Sequence, residues 1–391
     1  MDLLDQALFA RIVEMRRELH RHPELSWKET RTASRICEFL DDLGIAHRKD
    51  VAGTGVLAEI PAANDGPAIA LRADIDALPI HEETGLPFAS QVDGVMHACG
   101  HDGHVSMLLG AAALLAREPQ LPAPVRLIFQ PAEEVGRGAP AMIEAGGLDG
   151  VGMIFGGHLD RHFPTGTVIV TDGQVNAASD QFSIEIRGSG GHAARQHETI
   201  DAVVVGSLLV MAIQTIVSRE VNPAHPSVIS VGRFDAGTAG NVIAGHARLQ
   251  GTIRTQDPEV REHLHRSLRR IVESVGQLHG AEVTIDLVEG VPVLVNTGEM
   301  ASLAREVAAQ IVGENNVRML DTANMGGEDF SWYLEQVPGC YVRFGARGDQ
   351  MEGYPSHSSR FDFDEAALAV GAAYYCAIAK EAGRVVAAKG D

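Results

Sequence analysis

In the N-terminal part of the chain, short apolar runs alternate with helical stretches, and the runs end on ionisable side chains. Ala68-Ile-Ala-Leu71 leads into Arg72-Ala-Asp74-Ile-Asp76, Val125–Gln130 into Pro131-Ala-Glu133-Glu134, and Gly152–Phe155 into Gly156-Gly157-His158. Runs of this length bounded by Gly, Pro and Asn read as strands, as does Gly55–Ile60. Helical patterns precede and separate them: Leu4, Leu8, Ile12 and Met15 on one face and then Glu29 to Leu43 ending at Gly44 come before the strands, and Gly103 to Arg117 and Ala139 to Ala145 lie between them. Strands alternating with helices build a mainly parallel sheet, and such sheets bind ligands at the carboxyl ends of their strands. Separate strands that all deliver acids or imidazoles to one edge are poorly explained as solvated strand ends.

From about Ala178 the rhythm changes to strand Gln181–Arg187, helix Thr199–Ser218, strands Ser227–Phe234 and His246–Thr255, helix Pro258–Leu278 and strand Glu282–Val288. That β-α-β-β-α-β order is the ferredoxin-like split unit, complete in itself. The expected fold is therefore α/β, a mainly parallel-sheet domain (1–178 and 292–391) interrupted by an inserted ferredoxin-like α+β domain (179–291). Beyond Pro292 the α/β character returns, with a helix over Glu299–Val312, a segment Asp329–Gln336, a strand Cys340–Phe344 and a final helix Asp364–Ala382. A length of 391 residues agrees with two or three domains.

The stretch V-M-H-A-C-G-H-D-G-H, 95–104, places Cys99, His101, Asp102 and His104 close together on backbone loosened by Gly100 and Gly103. One thiolate, imidazoles and a carboxylate suit a divalent metal better than a packed core. The plainer reading is a loop entering a helix, with Asp102 as its N-cap. Other donors fall at the strand ends. Glu133 and Glu134 are adjacent, so they cannot share one face of a regular element, and one can ligate while the other accepts a proton. Metal-assisted hydrolysis needs that division: a water of lowered pKa and a carboxylate that carries its proton to the leaving amine. Cys99, His101, Glu134 and His158, with His357 from Tyr354-Pro-Ser-His357, are too many ligands for one catalytic zinc, and two metals sharing Cys99 fit better.

Composition excludes other classes. A net charge of −20 repels nucleic acid, and no basic arm offsets it. The four cysteines, Cys37, Cys99, Cys340 and Cys376, are too far apart in sequence to read as a disulfide scaffold. No apolar run approaches the eighteen or so residues of a membrane span, and the start lacks a basic leader region, so a cytoplasmic protein is expected.

The runs M-H-A-C-G-H-D-G-H (96–104), Q-P-A-E-E (130–134), G-S-G-G-H-A-A-R (188–195), G-T-A-G-N-V-I (237–243), G-T-I-R-T (251–255) and M-G-G-E-D-F (325–330) resemble the amidohydrolase branch of the aminoacylase and carboxypeptidase-G metallopeptidase family. That branch includes hippurate hydrolases, N-acyl-L-amino-acid amidohydrolases and auxin-conjugate hydrolases. The resemblance implies that the parallel-sheet domain is a catalytic domain and the inserted one its lid domain, with two divalent metals per chain, zinc or manganese first and cobalt or nickel acceptable. It implies that Cys99 bridges them, that Glu134 and His357 complete one site and His101 and His158 the other, and that Glu133 is the general base. Asp74 takes the place where the wider family has a His-x-Asp ligand motif, here Arg72-Ala-Asp74, and is left to support the centre. His192 matches a lid histidine that reaches the scissile carbonyl, often in a neighbouring subunit's site, and Asn241 and Arg254 match residues that hold the substrate's carboxylate. The partner so implied is a small N-acyl-amino-acid substrate, with no nucleic acid and no membrane; a homodimer through the lid domain is one assembly the resemblance allows.

Three departures touch the substrate side: Gln196 where the branch has proline, Ala244 in N-V-I-A-G, and L-D-R-H-F-P after His158 in place of a tryptophan-proline form. Three alternatives remain open at this point: a metallocarboxypeptidase or dipeptidase on the same scaffold, a thiol hydrolase using Cys99 as nucleophile, and a non-catalytic binding protein.

Overall fold

The computed structural model describes residues 3–63, 66–349, 351 and 353–390. The chain clusters into two compact units: Met1–Val175 with Val295–Thr322 and Asp329–Asp391, and Asn176–Leu294 with Ala323–Glu328. The short run Ala323–Glu328 thus clusters with the smaller unit, whereas the sequence placed it in the 292–391 segment.

In the larger unit one sheet runs in the order β1 (Ala46–Val51), β2 (Gly55–Ile60), β4 (Val125–Gln130), β3 (Ala68–Asp74), β5 (Val151–Pro164), then Gly339–Arg347, β6 (Val168–Ile169) and Val317–Arg318. Its centre is parallel, from β4 through β3 and β5 to Gly339–Arg347, while β1 with β2 and β2 with β4 pair antiparallel. β3 is buried along its whole length, so Ala68–Leu71 is continuously apolar rather than alternating, and the buried Arg72 and Asp74 that follow bond each other. The parallel arrangement carries the ends of β3 and β4 to the same edge.

β5 differs from expectation. The sequence ended this strand at Gly156-Gly157-His158, yet it continues to Pro164 because Gly339–Arg347 pairs beside it well past His158. The glycines are sites of close packing and not breakers: an added Cβ would lie 2.7 Å from the Phe330 ring at Gly156 and 2.6 Å from the Phe344 ring at Gly157. On its other side β5 pairs with β3 only as far as Leu71 and Phe155, so Asp74 and His158 both lie beyond that ladder.

Helix α1 (Gln6–Arg21), α2 (Thr30–Asp42) and α3 (His101–Leu115) follow the sequence pattern closely. α3 is buried on nearly every side, and an added Cβ at Gly110 would sit 2.8 Å from the Ala372 Cβ of the C-terminal helix Ala367–Gly390. α4 (Gly138–Glu144) follows the turn that carries Glu133 and Glu134.

The smaller unit has its own antiparallel sheet in the order Ser227–Ala236, His246–Thr255, Ala178–Arg187, Glu282–Val288, which is the strand order of a ferredoxin-like fold. Ala202, Val205, Leu209, Ile213 and Ile216 of one helix and Leu264, Leu268 and Val272 of the other join its core. In the first helix Ala202–Thr215 continues through a π turn to Glu220, giving 19 residues that are long and apolar enough by length and composition to cross a membrane, a test that core helices of other proteins also pass. Ser207, Gln214 and Thr215 interrupt the run, so a search for consecutive apolar residues passes over it. In the fold one face of this helix is buried.

Where the chain enters and leaves this unit, Asp180 receives Arg261 Nε (2.9 Å), the Gly290 main-chain N–H (2.9 Å) and His265 Nε2 (2.7 Å). Burial alone would raise its carboxyl, but these bonds hold it down to about 2. A carboxyl depressed below its unfolded value contributes stability that is present above about pH 4 and is lost as pH falls toward the folded value. Asp180→Asn should therefore cost about 2 kcal/mol near neutral pH, and urea denaturation should show the gap to wild type closing between pH 4 and pH 2. A gap that does not change with pH would mean that the charge of Asp180 does not stabilise the fold.

Candidate metal centre

The turn into α3 passes through Gly100, whose φ of 90° is a left-handed conformation that costs glycine little. Gly100, not Asp102, occupies the cap position. Asp102 lies buried in the first turn, where its Oδ2 accepts from Arg16 Nε (3.0 Å) and His20 Nδ1 (2.8 Å). Those partners outweigh burial and hold its carboxyl well below the usual range. The arginine and histidine of α1 thereby anchor the turn between Cys99 and α3.

Two imidazoles of the cluster have one nitrogen committed to a main-chain carbonyl. His101 Nδ1 donates to Asp76 O (2.9 Å) and His158 Nδ1 to Leu159 O (2.7 Å). A carbonyl can only accept, so the proton sits on Nδ1 and the Nε2 lone pair is left for a ligand, the usual device for orienting a metal-binding histidine. His158 Nε2 is 3.3 Å from Cys99 Sγ, and His101 Nε2 is 3.8 Å from Glu134 Oε1 and 4.0 Å from Glu133 Oε2. His357 has φ of 70°, and its main-chain N–H donates to Ala98 O (2.7 Å), which ties its loop to the residue before Cys99. Its Nε2 lies 3.5 Å from Glu134 Oε1.

Among the described residues several triads bring donor atoms within 4.8 Å of one another; two of them contain Cys99, namely Cys99-His101-His158 and Cys99-Glu134-His357, and Glu133 groups with His101 and Glu134. Glu134 Oε1 is buried with no hydrogen-bond partner, a state that costs a polar atom 1–3 kcal/mol or more. Burial, opposed by His101 and reinforced by Asp76, pushes the Glu134 carboxyl up to about 7, and burial with the Glu134 charge pushes the Cys99 thiol well up. Such an acidic donor set fits a divalent cation, which favours the deprotonated ligands.

Two supporting residues carried no role in the sequence reading. Asp76 accepts the main-chain N–H groups of Glu133 (3.2 Å, Oδ1) and Glu134 (3.1 Å, Oδ2), so one carboxylate fixes both glutamates, while Ser26 Oγ donates to its Oδ2 (2.7 Å). Its position two residues after Asp74, past the end of β3, was the only signal. Arg72, fully buried, bonds Asp74 Oδ2 (2.6 Å), Asp329 Oδ1 (2.8 Å) and Gln130 Oε1 (2.8 Å). Asp74 lies 3.8 Å from His101 Nε2, with Oδ2 on Arg72 and Oδ1 on His104, an arrangement for support and not for reaction.

The remaining sequence-derived residues belong to the smaller unit. His192 is exposed, and its Nδ1 accepts the Ala194 main-chain N–H (3.1 Å), which places the proton on Nε2 as an outward donor. Val242 pairs with His192, and Asn241 O accepts the Ala193 N–H (3.2 Å), so His192 and Asn241 meet across a short ladder. Arg254 Nη1 donates to Met325 O (3.0 Å), and no carboxylate of the described residues lies in ion-pair range of it.

A family model described as Peptidase family M20/M25/M40 matches residues 70–381. N-acetylcysteine deacetylase of Bacillus subtilis is 41% identical over 383 residues, covering 96% of this chain and 98% of the relative. Thermostable carboxypeptidase 1 of Saccharolobus solfataricus is 40% identical, covering 94% of each. Among solved structures, the Bacillus subtilis YxeP protein, a dinuclear metal-binding peptidase, superposes with a TM-score of 0.85 at 38% identity, covering 98% of this chain and all of that one.

Proposed function

The chain belongs to peptidase family M20/M25/M40 and is a hydrolase, and from that premise we propose that it cleaves the amide bond of N-acyl-L-amino acids, releasing a carboxylic acid and a free amino acid. The observation that carries this is the pair of donor triads sharing Cys99, with Glu133 beside them and outside both. Two divalent cations held by Cys99, His101, Glu134, His158 and His357, with zinc or manganese first, would polarise the amide carbonyl and lower the pKa of a water. Glu133, fixed through its main chain by Asp76, takes the water's proton and delivers it to the leaving nitrogen. His192 donates from Nε2 to the carbonyl oxygen as negative charge develops there. Asn241 and the guanidinium of Arg254 hold the substrate's carboxylate, the smaller unit serving as a lid.

The deacetylase relative supports the acyl-amino-acid reading, and the carboxypeptidase relative keeps peptides with a free carboxylate as the second one. A cysteine nucleophile is disfavoured: Cys99 is buried with its thiol pushed up, the opposite of what attack requires.

The smaller unit also supports a homodimer. Val203, Val204, Leu208 and Met211, the last 69% exposed, crowd the outer face of the helix Ala202–Thr215 and would be covered by a second copy. Met211→Glu should shift the protein from dimer to monomer in analytical ultracentrifugation; a monomeric wild type, or a variant that stays dimeric, contradicts this.

Glu133→Gln should keep its metal and lose about 10²–10⁴-fold in kcat, whereas Glu134→Gln should lose metal. Equal metal loss in both would refute the division of labour. Substrate charge gives the functional test. An acid of net charge −20 attracts a carboxylate only where the site is locally positive, so amidating the carboxylate should cost about 1.5–3 kcal/mol in kcat/KM. Arg254→Ala should erase most of that preference; undiminished preference for the acid would place the carboxylate elsewhere.

A further inference from the structure

Resting on the metal-centre reading above, we infer that His104 is a positioning residue that fixes His158 through the backbone of Leu159, and is not itself a ligand. By residue type His104 belongs with the donors, since Asp74, His101 and His104 bring candidate ligand atoms within 4.8 Å of one another. Its hydrogen bonds say otherwise. The imidazole is fully buried and spans two strands: Nε2 accepts the main-chain N–H of Leu159 (3.0 Å) and Nδ1 lies 2.6 Å from Asp74 Oδ1. A main-chain N–H can only donate, so Nε2 holds a lone pair, and the ring proton is on Nδ1, directed at Asp74. Both nitrogens are spent, and no ligand atom remains.

The backbone explains why the bridge is needed. The β3–β5 ladder stops at Leu71 and Phe155, so past that point β5 has no β3 main chain to bond. His104 fills the gap from α3, the helix that begins at the metal-binding turn, and supplies the acceptor that the buried Leu159 N–H requires. The other end of the same residue is also used: Leu159 O accepts His158 Nδ1 at 2.7 Å. Leu159 is thus gripped at N–H by His104 and in turn grips the His158 ring, whose Nε2 is set 3.3 Å from Cys99 Sγ. The rings of His104 and His158 meet edge to face, centroids 4.7 Å apart, which limits rotation of His158 further. Behind His104 stands Asp74, held by Arg72, which also bonds Asp329 and Gln130.

Outer partners that orient ligands typically contribute 10–100-fold to metal affinity. The test is zinc titration of chelator-stripped protein against a competing chromophoric chelator, with the visible spectrum of the cobalt(II)-loaded protein as second readout. His104→Asn keeps a group near the Nδ1 position but is too short for Leu159. It should bind zinc about 10–100-fold more weakly, reach the wild-type number of equivalents at saturation, and change the cobalt spectrum. Val105→Ala, a buried neighbour on α3, should leave affinity and spectrum as in wild type, which separates positioning from general loosening of the helix. Wild-type zinc affinity in His104→Asn overturns the inference, and so does loss of a whole equivalent, which would make His104 a ligand. The wild-type protein supplies a test independent of folding: ¹⁵N-histidine spectra should show His104 protonated at Nδ1 and bare at Nε2 with and without zinc, and metal-induced movement of its Nε2 signal contradicts this. His158→Ala is the control for the underlying reading. If that variant binds zinc like wild type, the metal centre fails, and not only the role of His104.

Discussion

The larger unit buries Asp74, Asp76, Asp102 and Asp329 near the carboxyl edge of its central strands, and much of the surrounding structure compensates that charge. An isolated buried carboxylate is costly, so each must be paired or fully hydrogen-bonded. Arg16 and His20 come from α1 to Asp102, Arg72 from β3 joins Asp74 and Asp329, and Asp76 takes two main-chain N–H groups and a hydroxyl. Among the described residues two buried carboxylate oxygens lack a hydrogen-bond donor, Asp102 Oδ1, whose other oxygen is held by Arg16 and His20, and Glu134 Oε1, which faces His357 and His101. The account of function rests on that contrast. Acids held by arginine, histidine or main-chain N–H groups form the frame, while Glu134 Oε1 is left facing two imidazoles and the Cys99 thiol, the setting in which a cation fits.

The same network turns sequence separation into rigidity. Arg72 and Asp329 lie on opposite sides of the inserted unit in the chain, yet they bond at 2.8 Å, so the second half of the larger unit is fixed to the first at its most buried point. The positive φ of His357 and its bond to Ala98 do the same for the last of the proposed ligands, which arrives from a loop far along the chain. Strained or unusual backbone at such positions persists only where surrounding contacts over-determine it.

Much of this was legible in the sequence because the relevant signals are local. Strand and helix periods gave the α/β layer and the ferredoxin-like insert nearly element by element, and Cys99, His101, Glu134, His158 and His357 stood out as donor types at strand ends and in turns. What was missed depends on contacts between distant segments. Gly156-Gly157 looks like a strand end and is instead a place where Phe330 and Phe344 pack against the backbone. Asp76 looks like an unassigned polar residue and His104 like one more metal donor, and only the placement of Glu133, Glu134 and Leu159 in space reveals what each bonds.

The central claim, that two cations share Cys99 at this edge of the sheet, is tested most directly by anomalous diffraction from crystals of the metal-loaded protein, collected on either side of the metal's absorption edge. The account predicts two anomalous peaks, both within bonding distance of Cys99 Sγ, one also bound by His101 and His158 and the other by Glu134 and His357, with Glu133 outside both coordination shells. A single peak at full occupancy, or a peak coordinated by His104 or by Glu133 in place of Glu134, would contradict it.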